Sequence, residues 1–319
     1  KAYKELLADF ESQPEATYVS KINRLNVNEN EELQHDCGRM PPKPVINYCV
    51  NMTTSQFVVG IGMFLNYPMH FGHGPWCSGV IISKRHVITA DHCVEVSRHQ
   101  PHRYYVSYGS NCFNPIFSRN NFRSYHTRAQ VPCGNSKQRI ALAKHIIAQT
   151  HQKYQRNCLN VINNSENPPK SERGGAWGNS NIRAGDFVIL ELREDIVFDS
   201  LTSPICMPRR QQEYANNIVI SIYGVGGARY DNQSKQKKTT AKGNNYTSNN
   251  KTTSQGDSGG PWVRKSVDQQ LVLVAVTSSG GNIYRVDEPT PHLVSISAAP
   301  ALEYESDFIC KWTGVCPDG

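Results

Sequence analysis

Gln255-Gly256-Asp257-Ser258-Gly259-Gly260-Pro261 is the stretch that decides how this chain is read. Three glycines around one serine let the backbone turn tightly and bring its N–H groups close to whatever sits on the hydroxyl. That suits a nucleophile whose oxyanion is held by backbone donors. No helix can begin at Gly259-Gly260-Pro261, and the run after Pro261 has the texture of strands.

A serine hydroxyl is a weak nucleophile until a base takes its proton, and the base is usually an imidazole oriented by a carboxylate. Upstream, Trp76-Cys77-Ser78-Gly79-Val80-Ile81-Ile82-Ser83 leads into His86-Val87-Ile88-Thr89-Ala90-Asp91-His92-Cys93, a hairpin pattern ending in a histidine beside a cysteine. Asp186-Phe187-Val188-Ile189-Leu190-Glu191-Leu192 sets an aspartate at the mouth of an apolar strand. A carboxylate entering a buried strand is costly unless partnered, and an imidazole is a suitable partner. Asp195, in the more polar Arg193-Glu194-Asp195, is the rival carboxylate.

These three blocks, in the order His92, Asp186, Ser258, resemble the active-site regions of the chymotrypsin/trypsin-like serine proteases. The serine run alone also fits the G-x-S-x-G elbow of the α/β-hydrolases. That fold would place its acid and histidine after the serine, and only His292 follows here. The resemblance covers roughly residues 45–312 and implies an all-β, chymotrypsin-like double β-barrel, with an N-terminal leader and a C-terminal helix. It implies peptide-bond hydrolysis through an acyl-enzyme on Ser258, with His92 as base and Asp186 behind it. The backbone N–H groups of Gly256 and Ser258 fall where the family has its oxyanion hole. Thr252, six residues before the serine, falls at the specificity pocket, and Ser278 and Gly280 match the strand that binds substrate backbone. Asp257 sits where the family's aspartate receives a newly made N-terminal ammonium. Cys77 and Cys93 match the disulfide that pins the histidine loop. Pro204-Ile205-Cys206-Met207-Pro208 matches the linker whose cysteine holds the pro-segment, so the resemblance implies Cys37–Cys206. No metal and no cofactor is required. The implied partners are a polypeptide substrate and protein inhibitors of a monomeric enzyme.

Composition agrees with an extracellular setting. The ten cysteines of this 319-residue chain are an even set with no C-x-x-C pair, which favours disulfides over a zinc ribbon or redox motif. Sequons at Asn51, Asn163, Asn232, Asn245 and Asn250 are glycosylation candidates and point to secretion. The net charge of +7 is dispersed along the chain, which reads as a solvated surface and not as a nucleic-acid-binding block. No run approaches the about 18 apolar residues of a membrane span, so membrane insertion is not expected.

Residues 1–44 read as a leader or pro-segment, tethered through Cys37, and residues 45–319 as the protease domain. The first barrel is expected over about 45–200, the second over about 201–298 and the helix over about 301–312. Short β-branched runs at 57–65, 76–82, 86–90, 104–108, 142–148, 187–192, 218–223 and 271–278 predict strands. Two long polar stretches, 109–139 and 155–185, interrupt them, and 230–255, rich in Asn, Lys, Ser and Thr, reads as a surface loop. Cys310 and Cys316 can close a small loop around Gly314, and Cys112–Cys133 and Cys49–Cys158 are one way to pair the remainder.

The pattern departs from the family at four places. Pro44 precedes Val45, where the family is cut after a basic residue, and Tyr48 replaces a small residue in the following hinge. Thr252 stands where a trypsin-like pocket carries Asp, and Ser254 replaces a pocket cysteine, with Asp287 or Glu288 as substitute counter-charges. A glycan on Asn250 would crowd that pocket. Asp91 places an extra carboxylate beside His92. These departures support a rival reading: a protease-like binding protein that is catalytically weak or inactive. The long stretches before Asp186 resemble the divergent trypsin-like branch expanded in nematodes.

Overall fold

The structure is a computed structural model, and it describes residues 21–39, 56–66, 70–71, 76–94, 100–109, 139–148, 186–208, 219–225, 236–242, 245–249, 256–285, 292–300 and 302–317. Two antiparallel sheets of seven strands dominate it. The first is built from β1 (Val58–Asn66), β2 (His70–Phe71), β3 (Cys77–Ile81), β4 (His86–Thr89), β5 (Tyr104–Tyr108), β6 (Arg139–Ala148) and β7 (Val188–Leu192). Its order is β2-β1-β3-β4-β7-β6-β5, and β1 pairs again with β5, with Gly60 opposite Ser107 and Met63 opposite Tyr104. That second pairing closes a six-stranded barrel. The second sheet contains β8 (Val219–Ile222), β9 (Gln236–Lys242), β10 (Asn245–Asn249), β11 (Pro261–Lys265), β12 (Leu271–Val276), β13 (Ser279–Arg285) and β14 (His292–Pro300), in the order β12-β11-β8-β9-β10-β14-β13. A closing 3-10 turn at Leu302–Glu305 leads into helix α2 (Ser306–Thr313).

The central strands of the first barrel read as unbroken apolar runs because both of their faces are buried. Val87 of β4 and Val188 and Leu190 of β7 point into the barrel interior, among Val59, Ile61 and Val106. Their neighbours Ile88 and Ile189 point the other way, into a second core shared with Leu273 and Val276 of β12 and with Trp312 of α2. Side chains alternate across a strand, so one pentapeptide feeds two cores. Each fully buried isoleucine here contributes about 2 kcal/mol of transfer free energy.

Residues 21–39, part of the segment expected as a leader, contribute to this second core. Helix α1 (Val27–Asp36) begins in a capping box, with the Asn26 side chain accepting from the Glu29 N–H and the Glu29 carboxylate accepting from the Asn26 N–H. Leu33 and Cys37 pack among the core residues, together with Ile22 and Leu25 from just before the helix. Cys37 is disulfide-bonded to Cys206, and Gly38 exchanges backbone bonds with Pro204 and Leu271. Asn30 grips the Cys316 backbone at both its N–H and its carbonyl, at 3.0 and 2.9 Å, beside the Cys310–Cys316 disulfide. Glu29 binds Arg85 and Lys84 in the β3–β4 turn, and the Arg85 hydrogen bond holds its carboxyl down at about 2.

The apolar strand runs lie within a residue or two of the sequence expectation, except that β6 starts three residues earlier, at Arg139. One expectation is corrected. The stretch 230–255 was expected as a loop, yet it contains β9 and β10, which pair with each other through Tyr246 and Ala241 and join β8 to β14. Their sequences, QKKTTAK and NYTSN, are mostly polar, so no hydrophobic alternation announced the pairing. The pairings expected for Cys49, Cys112, Cys133 and Cys158 lie outside the described residues.

Candidate active site

The site lies where the end of β4, the start of β7 and the turn before β11 converge. After β4, residues Asp91–Cys93 form one 3-10 turn, which carries His92. The Cys77–Cys93 disulfide ties this turn back to β3, and the Trp76 indole N–H donates to the Cys93 carbonyl at 3.2 Å. Asp186 stands two residues before β7, is only 3% exposed, and meets His92 twice. Its Oδ1 accepts the His92 backbone N–H at 3.0 Å, and its Oδ2 lies 2.8 Å from Nδ1. An ionised carboxylate can only accept, so the ring proton sits on Nδ1 and Nε2 is left as the basic nitrogen. The Ser278 hydroxyl donates to the same Oδ2 at 2.6 Å. Burial pushes the Asp186 carboxyl up, but the hydrogen bond and charge of His92, aided by Ser278, outweigh it and hold the group below the ordinary carboxylate range.

The serine turn is fastened onto this corner. The Ser78 N–H donates to the Ser258 carbonyl at 2.7 Å, and Cys93 Sγ lies 3.8 Å from that same oxygen. Gly259 has φ of +78°. A Cβ there would also run into the Thr89 hydroxyl and the Ser78 carbonyl, so only glycine allows the turn to reach β3 and β4 this closely. β11 starts at Pro261, so the serine is followed by a strand, not by the helix of a hydrolase elbow. Asp257 packs against Gly224, where a Cβ would strike its carboxylate.

The structure thus gathers His92, Asp186, Ser258, Gly256 and Ser278 around one corner. Gly280 lies in β13, opposite Ser297. Asp195, the rival carboxylate, is elsewhere: it pairs with Arg85 and Lys84 on the leader side. Asn245 opens β10, whereas Thr252, Asn51, Asn163, Asn232, Asn250 and Val45 lie outside the described residues. Among the described residues one group has ligand atoms spaced for a metal, Cys77, His92 and Cys93. Both of its sulfurs are consumed in the disulfide and offer no thiolate.

Two contacts had no signal in a motif. The bond from Ser278 to Asp186 depends on a residue 92 positions away, and the hydroxyl of Ser78, buried against the serine turn, resembles any small strand residue in the sequence.

A family model described as Trypsin matches residues 65–296, well over half of the chain. The human protein named transmembrane protease serine 11A is 21% identical over 263 residues, covering 75% of this chain and 50% of that protein. The chain therefore spans about half the length of the curated relative it matches. Among the described residues no helix is long and apolar enough to cross a membrane.

Proposed function

The chain belongs to the trypsin family, and from that premise we propose that it is a secreted serine endopeptidase in which His92, Asp186 and Ser258 act together. The observation that carries this reading is the doubly bonded pair of Asp186 and His92, set beside a glycine-rich turn that presents Ser258. In this mechanism Ser258 Oγ attacks the scissile carbonyl carbon while His92 Nε2 accepts its proton. Asp186, already ionised and buried, stabilises the imidazolium that results. The N–H groups of Gly256 and Ser258 receive the oxyanion. Collapse of the tetrahedral adduct breaks the C–N bond, and the proton on Nε2 leaves with the amine. Water, deprotonated by the same nitrogen, then releases the acyl group from Ser258. No step calls for a metal or an organic cofactor. Three disulfides among the described residues, Cys37–Cys206, Cys77–Cys93 and Cys310–Cys316, support an oxidising compartment. Polypeptide is the substrate class.

Labelling with a fluorophosphonate probe tests the proposal. The wild-type chain is expected to label stoichiometrically and the Ser258→Ala variant not at all. Absence of Ser258-dependent labelling, in the intact chain and in the chain cut before Val45 alike, would sink the enzyme in favour of a protease-like binding protein.

A further inference from the structure

We propose that Ser78 is a positioning residue for the oxyanion donors, acting on the Gly256 turn from the neighbouring barrel. The inference rests on the serine-protease reading above and adds a residue to it.

The two donor N–H groups, on Gly256 and Ser258, are separated by two peptide units. Their mutual orientation is set by how those peptides are held. In this chain every carbonyl along the turn is fastened. The Gly256 carbonyl accepts from the Ser78 hydroxyl at 2.7 Å. The Asp257 carbonyl accepts from the Gly260 N–H at 2.9 Å, and the Ser258 carbonyl from the Ser78 N–H at 2.7 Å. Ser78 therefore supplies two of these three anchors, one from its side chain and one from its backbone. The peptide fixed by the side chain, between Gly256 and Asp257, is the one nearest the first donor.

Gly256 most needs such an anchor. Its φ is +98°, in the region open chiefly to glycine, and glycine has more alternative conformations to lose than any other residue. The hydroxyl itself has no freedom to choose a different partner. It accepts the Val225 N–H at 2.8 Å, which leaves its single proton for the Gly256 carbonyl. Ser78 is fully buried, and its own carbonyl is held by the Thr89 hydroxyl at 2.6 Å. A glycine or alanine at position 78 would keep the backbone bond and lose the other, leaving the Gly256 carbonyl and the Val225 N–H without this partner. One hydroxyl thus joins β3 of the barrel to two segments that border the second sheet, the Gly256 turn before β11 and the residues that follow β8.

The test compares the full-length wild type with Ser78→Ala and with Ser78→Cys, whose somewhat larger thiol keeps a weak donor. The fluorophosphonate is the probe, since its phosphoryl oxygen occupies the oxyanion position. The maximal labelling rate is expected to fall roughly tenfold in Ser78→Ala, against the 10²- to 10³-fold of losing a whole oxyanion donor. The concentration for half-maximal rate should stay unchanged, and Ser78→Cys should fall between. Thermal melting is read on the same samples. Labelling of Ser78→Ala at the wild-type rate, or a slowing that only follows the folded fraction, overturns the inference while leaving the protease reading intact. A wild type that labels neither intact nor cut before Val45 overturns the protease reading itself, and this inference with it.

Discussion

Strand β7 carries two carboxylate–histidine pairs, one at each end, and their likeness is instructive. At its start, Asp186 bonds His92 at 2.8 Å; five residues on, Glu191 bonds His145 at 2.7 Å. Both carboxylates are buried. In both, burial pushes the carboxyl up and hydrogen bonds with nearby positive charge bring it below its ordinary range. The difference lies in what completes each cluster. Asp186 has a second partner in Ser278 and a glycine-rich serine turn alongside. Glu191 has the Asn23 N–H of the leader at 3.0 Å and the Lys144 ammonium at 3.2 Å. A buried His–carboxylate pair is therefore a way to hold a strand end. What separates the two ends is the glycine-rich serine turn that stands beside one and not the other.

The largest effect that would separate the two ends is Asp186→Asn. The amide keeps the shape but can donate to the ring, so it favours the wrong tautomer and removes the charge that stabilises the imidazolium. Acyl transfer at Ser258 is expected to fall by about 10⁴ with folding largely retained, read as the fluorophosphonate labelling rate. An unchanged rate would detach Asp186 from the chemistry.

At the other end, Glu191→Gln should do the reverse. Three donors converge on Glu191, one of them the Lys144 ammonium and one His145. Lys144 and His145 are themselves partly exposed, so removing the buried carboxylate charge costs about 1.5–3 kcal/mol. The expected result is a lower denaturant midpoint and a labelling rate, for the folded fraction, equal to wild type. A variant as stable as wild type would mean that the leader's hold on β7 does not depend on this carboxylate.

How far the two ends could be read from sequence differs for physical reasons. Asp186 was legible because an acid at the mouth of an apolar strand needs a partner, and His92 sits at the end of a matching hairpin. Glu191 carried the same warning, a charge inside Val188–Leu192. Its partners come from positions 23, 144 and 145, and no local pattern joins them. The continuous apolar runs gave the barrel strands, since burial on both faces leaves a compositional mark. The β9–β10 hairpin had none, its residues being mostly polar. Ser278 was expected on a strand that binds substrate backbone; it lies between β12 and β13, and its hydroxyl's bond to Asp186 is a tertiary fact. Asp195 shows the converse: a plausible acid on sequence grounds, it serves a surface ion-pair group with Arg85 and Lys84.

The smallest effect belongs to His86, which lies across the ladder from Glu191 on β4. It is fully buried, with Nδ1 at 2.8 Å from the Ser83 hydroxyl. Burial, and to a smaller degree Arg85, drive its pKa down to about 4 against the pull of Glu191. A base whose folded pKa lies below its unfolded value of about 6.5 binds fewer protons folded than unfolded between those two pH values. Folding stability must then decline as the pH drops from about 6.5 towards 4, and the His86 contribution levels off below that. A shift of this size corresponds to a loss on the order of 3 kcal/mol across the window. Native carboxylates begin to titrate at its lower edge, so the slope between pH 6.5 and 5 is the clean measure. His86→Phe keeps a ring in the cavity and removes the proton site, and it should flatten that slope in denaturant melts. An undiminished slope in the variant would place the acid sensitivity elsewhere.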